Sequence, residues 1–245
     1  MGWKEYLSDW QKKSVSKLLH FITEVIYNNE ISQLHQKRKP ANKKAIAQIT
    51  TKYKQMGKVI SFMHMSLDGF VAGPNGEMNW IKVDEEIFDH IGKRIGETDT
   101  ALYGRITYEM MEGYWPAAGK EPDASKHDKE HSAWYNKAHK LVLSKTKKAA
   151  NPPETTVLSE NIAERIDDIK QQTDKEILLF GSPTATHSLM QLGLIDGYWL
   201  FVNPIILGQG IPLFADVKDK IKLQLISTRS FTAGVTELNY VVDKQ

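Results

Sequence analysis

The spacing of apolar residues changes near residue 56. Between residues 3 and 30, apolar side chains recur at steps of three and four, which predicts one amphipathic helix. Residues 42–53 repeat this pattern more weakly and predict a second helix. From Lys58 onward, short apolar runs alternate with segments of helical spacing. This alternation predicts an α/β domain after a helical N-terminal segment.

The apolar runs after residue 57 predict a mostly parallel sheet. Strands are expected at 59–65, 100–103, 140–143, 155–158, 177–180 and 198–206. Helices are expected at 84–95, 126–137 and 162–171, and two more are expected to begin directly after Gly104 and at Ser182. The tail alternates apolar and polar residues on either side of Ala233-Gly234, which predicts an antiparallel hairpin at one edge. Ser182 and Pro183 are residue types that favour a helix start.

Charge divides the chain at the same place as the apolar pattern. Residues 1–55 hold 11 Lys and Arg against 4 Asp and Glu, a net +7, whereas the remainder carries a net −5. We therefore expect two parts, a basic helical extension over 1–55 and an α/β domain over 56–245. The basic cluster at 36–44 could contact nucleic acid or acidic lipid, or it could be a solvated loop between helices that pack on the domain or on a second subunit.

The composition excludes several kinds of functional site. The chain contains no cysteine, which excludes disulfides, thiolate zinc sites and a cysteine nucleophile. No apolar run approaches the length of a membrane span, and the first thirty residues lack the apolar segment of a signal peptide. We expect a cytoplasmic protein with no membrane partner. His127 and His131 match the zinc pattern H-x-x-E-H, but their surroundings are Lys-rich and offer no third ligand, so no metal site is predicted.

Three predicted strands end in residues suited to phosphate. The ends are Tyr103-Gly104-Arg105, Leu143-Ser144-Lys145-Thr146 and Phe180-Gly181-Ser182. Ligands of open α/β sheets lie across the carboxyl ends of strands, and a helix start offers free N–H groups to an anion. Three such ends suggest a dinucleotide, and the two cations would suit a 2′-phosphate. The Rossmann G-x-G-x-x-G is absent, which indicates another dinucleotide fold.

Six motifs in order carry a resemblance. They are S-L-D-G-F-V-A-G-P-N-G-E-M-N-W, L-Y-G-R-I-T-Y-E, L-S-K-T, F-G-S-P-T, G-L-I-D-G-Y and N-P-I-I-L-G-Q-G-I-P-L-F. Over residues 56–242 the chain resembles the dihydrofolate reductase-like superfamily, in the branch named after the C-terminal reductase domain of the bifunctional riboflavin-pathway deaminase-reductase. The resemblance implies the superfamily's fold, NADPH as cofactor and a homodimer. The full bifunctional protein is excluded, because its zinc deaminase needs cysteines.

The resemblance also implies roles for individual residues. NADPH would be held at the three strand ends by Gly104, Arg105, Thr107, Ser144, Lys145, Thr146, Gly181, Ser182, Pro183 and Thr184. The loop from Ser66 to Trp80 would cover the nicotinamide, with Asp68 on its near side and Trp80 against the substrate. Asp84 is near the place where dihydrofolate reductases carry their carboxylate, and by its position it could equally be only a helix N-cap.

These observations predict an NADPH-dependent reductase that transfers hydride to a small pyrimidine-like, pterin-like or imine-bearing substrate. The implied activity resembles that of 5-amino-6-(5-phosphoribosylamino)uracil reductase, with a proton from Asp84 or from water. One alternative is a true dihydrofolate reductase. Another is a nucleotide-binding module whose residues 1–55 act on nucleic acid or in assembly.

Overall fold

A computed structural model describes residues 56–146 and 154–244. The predicted N-terminal helices, the basic cluster and the proposed extension over 1–55 lie outside these residues. The described elements, in chain order, are β1 Lys58–Ser66, β2 Phe70–Ala72, α1 Glu85–Gly96, β3 Thr100–Gly104, α2 Arg105–Glu112, α3 Trp115–Ala118, α4 Lys126–Tyr135, β4 His139–Leu143, β5 Thr155–Leu158, α5 Ile162–Gln172, β6 Glu176–Phe180, α6 Pro183–Gln191, β7 Gly197–Asn203, β8 Ile211–Pro212, β9 Leu223–Ser230 and β10 Thr236–Val242.

Eight of the strands form one sheet in the order β5-β4-β3-β6-β1-β7-β10-β9. The first six run parallel, so their carboxyl ends share one edge of the sheet. The last two, β10 and β9, form the antiparallel hairpin expected at the C-terminus. The predicted fold class is confirmed. Strands β4, β3 and β6 are consecutive in this order, so the three strand ends predicted to suit phosphate are direct neighbours.

The sheet separates two apolar cores. On one face, Met63 of β1 is buried with Ile166 of α5 and Leu189 of α6. On the other, Ile60 of β1 is buried with Ile87 of α1 and with aromatic side chains of α2 and α4. Successive residues of a strand point to opposite faces, so an apolar run such as β1 serves both cores at once. No helix of the described residues is long and apolar enough to cross a membrane.

A buried carboxylate joins the start of the domain to its C-terminal strand. Asp196 forms ion pairs of 2.6 Å with Lys170 and with Lys244. Its carboxylate also accepts a 2.9 Å hydrogen bond from the Val59 N–H. Burial by itself raises the pKa of the Asp196 carboxyl, but the bonds from Lys170, Lys244 and Val59 outweigh it, so this pKa lies below its usual value. The ionised carboxylate therefore stabilises the native state.

The structure departs from the predicted element bounds in three places. Strand β7 ends at Asn203 rather than 206, because Pro204 has no N–H to continue the ladder. The loop 66–80 contains the short strand β2, which pairs antiparallel with β8. The segment 113–123, which lies outside the predicted helices and strands, contains the four-residue helix α3 with a proline in its first turn. Each missed element is too short to produce a recognisable period.

Candidate functional site

One cavity of about 580 Å³ lies at the carboxyl ends of β3, β4 and β6. Nine of the ten residues predicted to bind the cofactor line it: Gly104, Arg105, Thr107, Ser144, Lys145, Thr146, Ser182, Pro183 and Thr184. The tenth, Gly181, is in the adjacent turn, where its N–H donates to the Phe62 carbonyl at 3.2 Å. Segments about forty residues apart in the chain therefore form one concave surface.

Two helices begin at this cavity. Helix α2 follows Gly104, which has no side chain to cap it. Helix α6 follows Ser182, whose hydroxyl accepts no bond from the first turn. The N-terminal N–H groups of a helix and its positive dipole end favour an anion. The predicted helix start at Ser182 and Pro183 is confirmed, but the Ser182 hydroxyl forms no cap bond, because Ser182 adopts a left-handed conformation with φ of +57°. That conformation places its hydroxyl beside β3 instead of over the helix.

Glycine is required where β3 meets β6. A Cβ at Gly104 would clash with the hydroxyl of Ser182 and contact its Cβ at 3.1 Å. Gly181 has a φ of +53°, so two consecutive residues of this turn are left-handed. L-residues with side chains rarely adopt that region, and a β-branched residue is disfavoured most strongly. Gly104 thus leaves room for Ser182 at the cavity wall, and Gly181 permits the left-handed turn that brings Ser182 there.

The two cations at the cavity differ in how they are engaged. The Arg105 guanidinium donates to the Glu109 carboxylate at 2.7 Å within α2, and both side chains are partly exposed. Lys145 is exposed and forms no ion pair with any residue in 56–146 or 154–244. Beside it, the Ser144 hydroxyl accepts a 3.2 Å bond from the Thr146 N–H. Lys145 is therefore the cation most available to an incoming phosphate.

Asp68 joins two loops beside the sheet edge. Its carboxylate accepts bonds from the Ser66 hydroxyl at 2.6 Å and from the N–H groups of Leu207 and Gly208 at 3.1 and 2.8 Å. The hydrogen bond from Ser66 has the largest effect and lowers the pKa of Asp68. Burial opposes this effect, and the bonds from the two backbone N–H groups lower the pKa further. The contacts seen for Asp68 hold the loop 66–80 against the segment after β7.

Asp84 and Trp80 lie at the entry to α1. The Asp84 Oδ1 accepts a 2.9 Å bond from the Ile87 N–H, which confirms the predicted N-cap. The Trp80 indole donates to the Glu77 carbonyl at 3.0 Å. Between them, the Lys82 N–H donates at 2.8 Å to the side chain of Asn203 at the end of β7. That bond attaches the approach to α1 to the carboxyl edge of the sheet.

Sequence reasoning missed His64 and Asn203. His64 stacks on Phe201 with ring centroids 4.9 Å apart, and its Nδ1 lies 3.5 Å from the Asn203 amide nitrogen. Burial lowers the pKa of His64 to about 4. The available signal was a lone polar ring near the carboxyl end of an otherwise apolar strand.

The two histidines of the H-x-x-E-H pattern pack among aromatic rings. His127 stacks on Phe88 at 3.9 Å between centroids, and His131 lies 4.0 Å from Trp115. Burial lowers the pKa of His131 to about 3, with a smaller contribution from His127. No group of three metal-ligating side chains occurs within the described part of the chain.

Several solved structures share this architecture. A putative riboflavin biosynthesis protein from Shewanella sp. PV-4 matches with a TM-score of 0.60 and 20% identity, over 76% of this chain and 99% of that one. Dihydrofolate reductase from Enterococcus faecalis matches with a TM-score of 0.52 and 13% identity, over 77% and 98% of the two chains. The fold is dihydrofolate reductase-like.

Sequence comparison gives the family. The Bacillus subtilis (strain 168) protein named Uncharacterized protein YyaP is 32% identical over 183 residues, which cover 75% of this chain and 94% of that protein. A second protein of that strain, YwjB, is 26% identical over 185 residues, 75% and 97% of the two chains. The family model described as RibD C-terminal domain matches residues 57–236. The chain belongs to the RibD C-terminal domain family.

Proposed function

We propose that this protein is an NADPH-dependent reductase of a small pyrimidine-like or pterin-like heterocycle or imine. The observation that carries the proposal is the cavity at β3, β4 and β6, where two helix starts, three hydroxyl-bearing segments and an exposed lysine converge. Membership of the RibD C-terminal domain family supports a reductase. The chain also matches the fold of a Thermotoga maritima protein named as a deaminase and 5-amino-6-(5-phosphoribosylamino)uracil reductase, with a TM-score of 0.55 and 16% identity, over 80% of this chain and 59% of that one.

The residues of the cavity fit a dinucleotide phosphate. The N-termini of α2 and α6 and the hydroxyls of Thr107 and Thr184 would hold the pyrophosphate, where Gly181 has no side chain to obstruct the backbone. Lys145, with Ser144 and Thr146, would contact the 2′-phosphate, because a dianion at that position is recognised by cations. NADPH would supply the hydride, and the protein's part is to position the reactants and exclude water.

The strand order supports one direction for the bound cofactor. The adenosine end would lie toward β4, because Lys145 follows that strand. Beyond β6, the next carboxyl ends in the sheet are those of β1 and β7. The nicotinamide and the substrate would therefore lie near His64, Asn203 and Asp84.

Asp84 is our candidate for the proton donor, with water as the alternative. Its Oδ1 accepts the bond from Ile87, which fixes the carboxyl group at the start of α1. Its Oδ2 accepts no hydrogen bond within 56–146 and 154–244, which leaves that oxygen free to face a substrate. Asp84→Asn keeps an oxygen for the N-cap but removes the acid. We expect this variant to retain NADPH affinity and to lose most turnover.

True dihydrofolate reduction is the second candidate, because the fold matches a dihydrofolate reductase and a carboxyl group stands at the start of α1. Calorimetry with NADPH followed by turnover of dihydrofolate and of pyrimidine substrates separates the two. Tight methotrexate binding that is lost in Asp84→Asn would favour dihydrofolate. Failure of NADPH to bind would refute both candidates.

A further inference from the structure

We infer that His64 is a substrate-specificity residue of this site, and that its Nε2–H donates a hydrogen bond to a carbonyl group of an oxo-pyrimidine ring. The inference rests on the proposed function, because that proposal brings the substrate to the ends of β1 and β7. It adds a residue and a substrate preference. A ring bearing oxo groups is expected at His64, in preference to one bearing amino groups.

The position of His64 follows from the strand register. In β1, Ile60 and Phe62 point to the core that contains Ile87, and His64 is the next residue on that face. It lies opposite Phe201 in β7, near the carboxyl edge of the sheet. Its side chain is only half-buried, whereas Ile60 on the same face is 5% exposed. The ring therefore lies where the core gives way to the edge that faces the ligand.

The ring is held in one orientation. It stacks on Phe201 at an interplanar angle of 23° and meets the edge of Phe62 with centroids 6.0 Å apart. Aromatic pairs in such geometries restrict ring rotation as well as burying area. His64 is consequently a preoriented group, which loses little conformational freedom when it binds a ligand.

The position of Asn203 favours one tautomer of the His64 ring. The Asn203 Oδ1 accepts from the Lys82 N–H at 2.8 Å, which fixes the amide orientation and makes Nδ2 the group that faces His64. The two hydrogens of Nδ2 also reach the carbonyls of Phe201 and Met65, at 3.2 and 3.3 Å, and His64 Nδ1 lies 3.5 Å from the same nitrogen. An amide nitrogen can only donate, so a hydrogen on Nδ1 would face a donor, and this favours the tautomer in which Nδ1 is an acceptor. A neutral imidazole with an accepting Nδ1 carries its hydrogen on Nε2.

The Nε2–H has no hydrogen-bond partner among residues 56–146 and 154–244. Burial disfavours the imidazolium, so the ring remains neutral near pH 7 and offers one donor rather than a charge. A site that presents a donor rejects a ligand group that also donates, because one of the two hydrogens is then left without an acceptor. Oxo groups accept, and exocyclic amino groups mainly donate.

The test uses two probes of the same ring size, 5,6-diaminouracil and 2,4,5,6-tetraaminopyrimidine, which differ in having oxo or amino groups. Each is titrated into the NADP⁺-saturated full-length protein, labelled with ¹⁵N at its eight histidines. The His64 signals are assigned by their absence from His64→Phe, which keeps the stacking ring but removes both nitrogens. His64→Gln keeps an N–H donor, and His139→Phe is the matched control at the amino end of β4.

We expect the His64 spectrum to show the neutral Nε2–H form and to shift with diaminouracil but not with tetraaminopyrimidine. His64→Phe should weaken diaminouracil binding about three- to tenfold, with a smaller loss in His64→Gln and none in His139→Phe. An Nδ1–H form, an unshifted His64 signal or equal binding by His64→Phe would each overturn the inference. Calorimetric binding of NADP⁺ is measured first, and its absence would refute the reductase proposal itself.

Discussion

A preference for NADPH over NADH is expected to depend more on Lys145 than on Arg105. Both residues line the cavity, but Arg105 is already paired with Glu109 at 2.7 Å. Contact with a 2′-phosphate would require Arg105 to give up part of that i,i+4 pair, which is worth only about 0.3–0.5 kcal/mol. Lys145 has no such competing ion pair among the described residues and is therefore expected to contribute its full interaction.

The expected loss of NADPH affinity follows from the type of contact. A hydrogen bond to a charged group contributes about 1.5–3 kcal/mol, which corresponds to roughly ten- to a hundredfold in affinity. Lys145 is exposed, so we expect Lys145→Ala to weaken NADPH binding near the lower end of this range and to leave NADH binding unchanged. Arg105→Ala should have a smaller effect. Glu109→Gln should strengthen NADPH binding about twofold, because it releases Arg105 from its pair.

Isothermal titration calorimetry of the full-length chain with NADPH and NADH measures these differences, with Lys137→Ala as the control for loss of an exposed lysine outside the cavity. Equal affinities of the parent protein for the two cofactors would refute the reasoning. A larger loss in Arg105→Ala than in Lys145→Ala would show that the ion pair with Glu109 does not restrain Arg105.

Four further outcomes are expected. Gly181→Val and Gly193→Val both place a β-branched residue at positive φ, at opposite ends of α6, so both should lower the melting temperature. Only Gly181→Val should abolish NADPH binding by calorimetry, and equal affinities in the two variants would show that the phosphate site is misplaced. A chain beginning at Met56 should melt cooperatively and bind NADPH, whereas an insoluble product would make residues 1–55 part of the core. In urea unfolding, the contribution of the Asp196 ion pairs to the free energy of unfolding should be fully present above about pH 4 and should fall as Asp196 is protonated through its lowered pKa. Asp196→Asn should reduce this pH dependence, and an unchanged pH profile would contradict the role of the ion pairs. Light scattering should give twice the chain mass, since β9 exposes apolar side chains at the sheet edge, and a monomer would contradict the homodimer.

The sequence alone determined the local structure of this domain. The apolar run of β6 and the Gly181-Ser182-Pro183 turn predicted a strand followed by a helix, and Asp84 predicted the N-terminus of α1. These predictions hold because strand and helix periods, caps and turns depend on residues within a few positions of one another. The alternation of strands with helices and the alternating apolar residues of the tail extended them to the parallel sheet and its C-terminal hairpin.

The tertiary structure decided how distant segments meet. Apolar periodicity does not specify strand order, so only the fold shows that β4, β3 and β6 are neighbours and form one cavity. The left-handed Ser182 lies against Gly104 because two strand ends approach closely, a contact that no local pattern encodes. His64 and Asn203 are 139 residues apart, and their contact arises from the register between β1 and β7. Long-range pairing is selected by the packing of the whole core, and it therefore determines the geometry of the site.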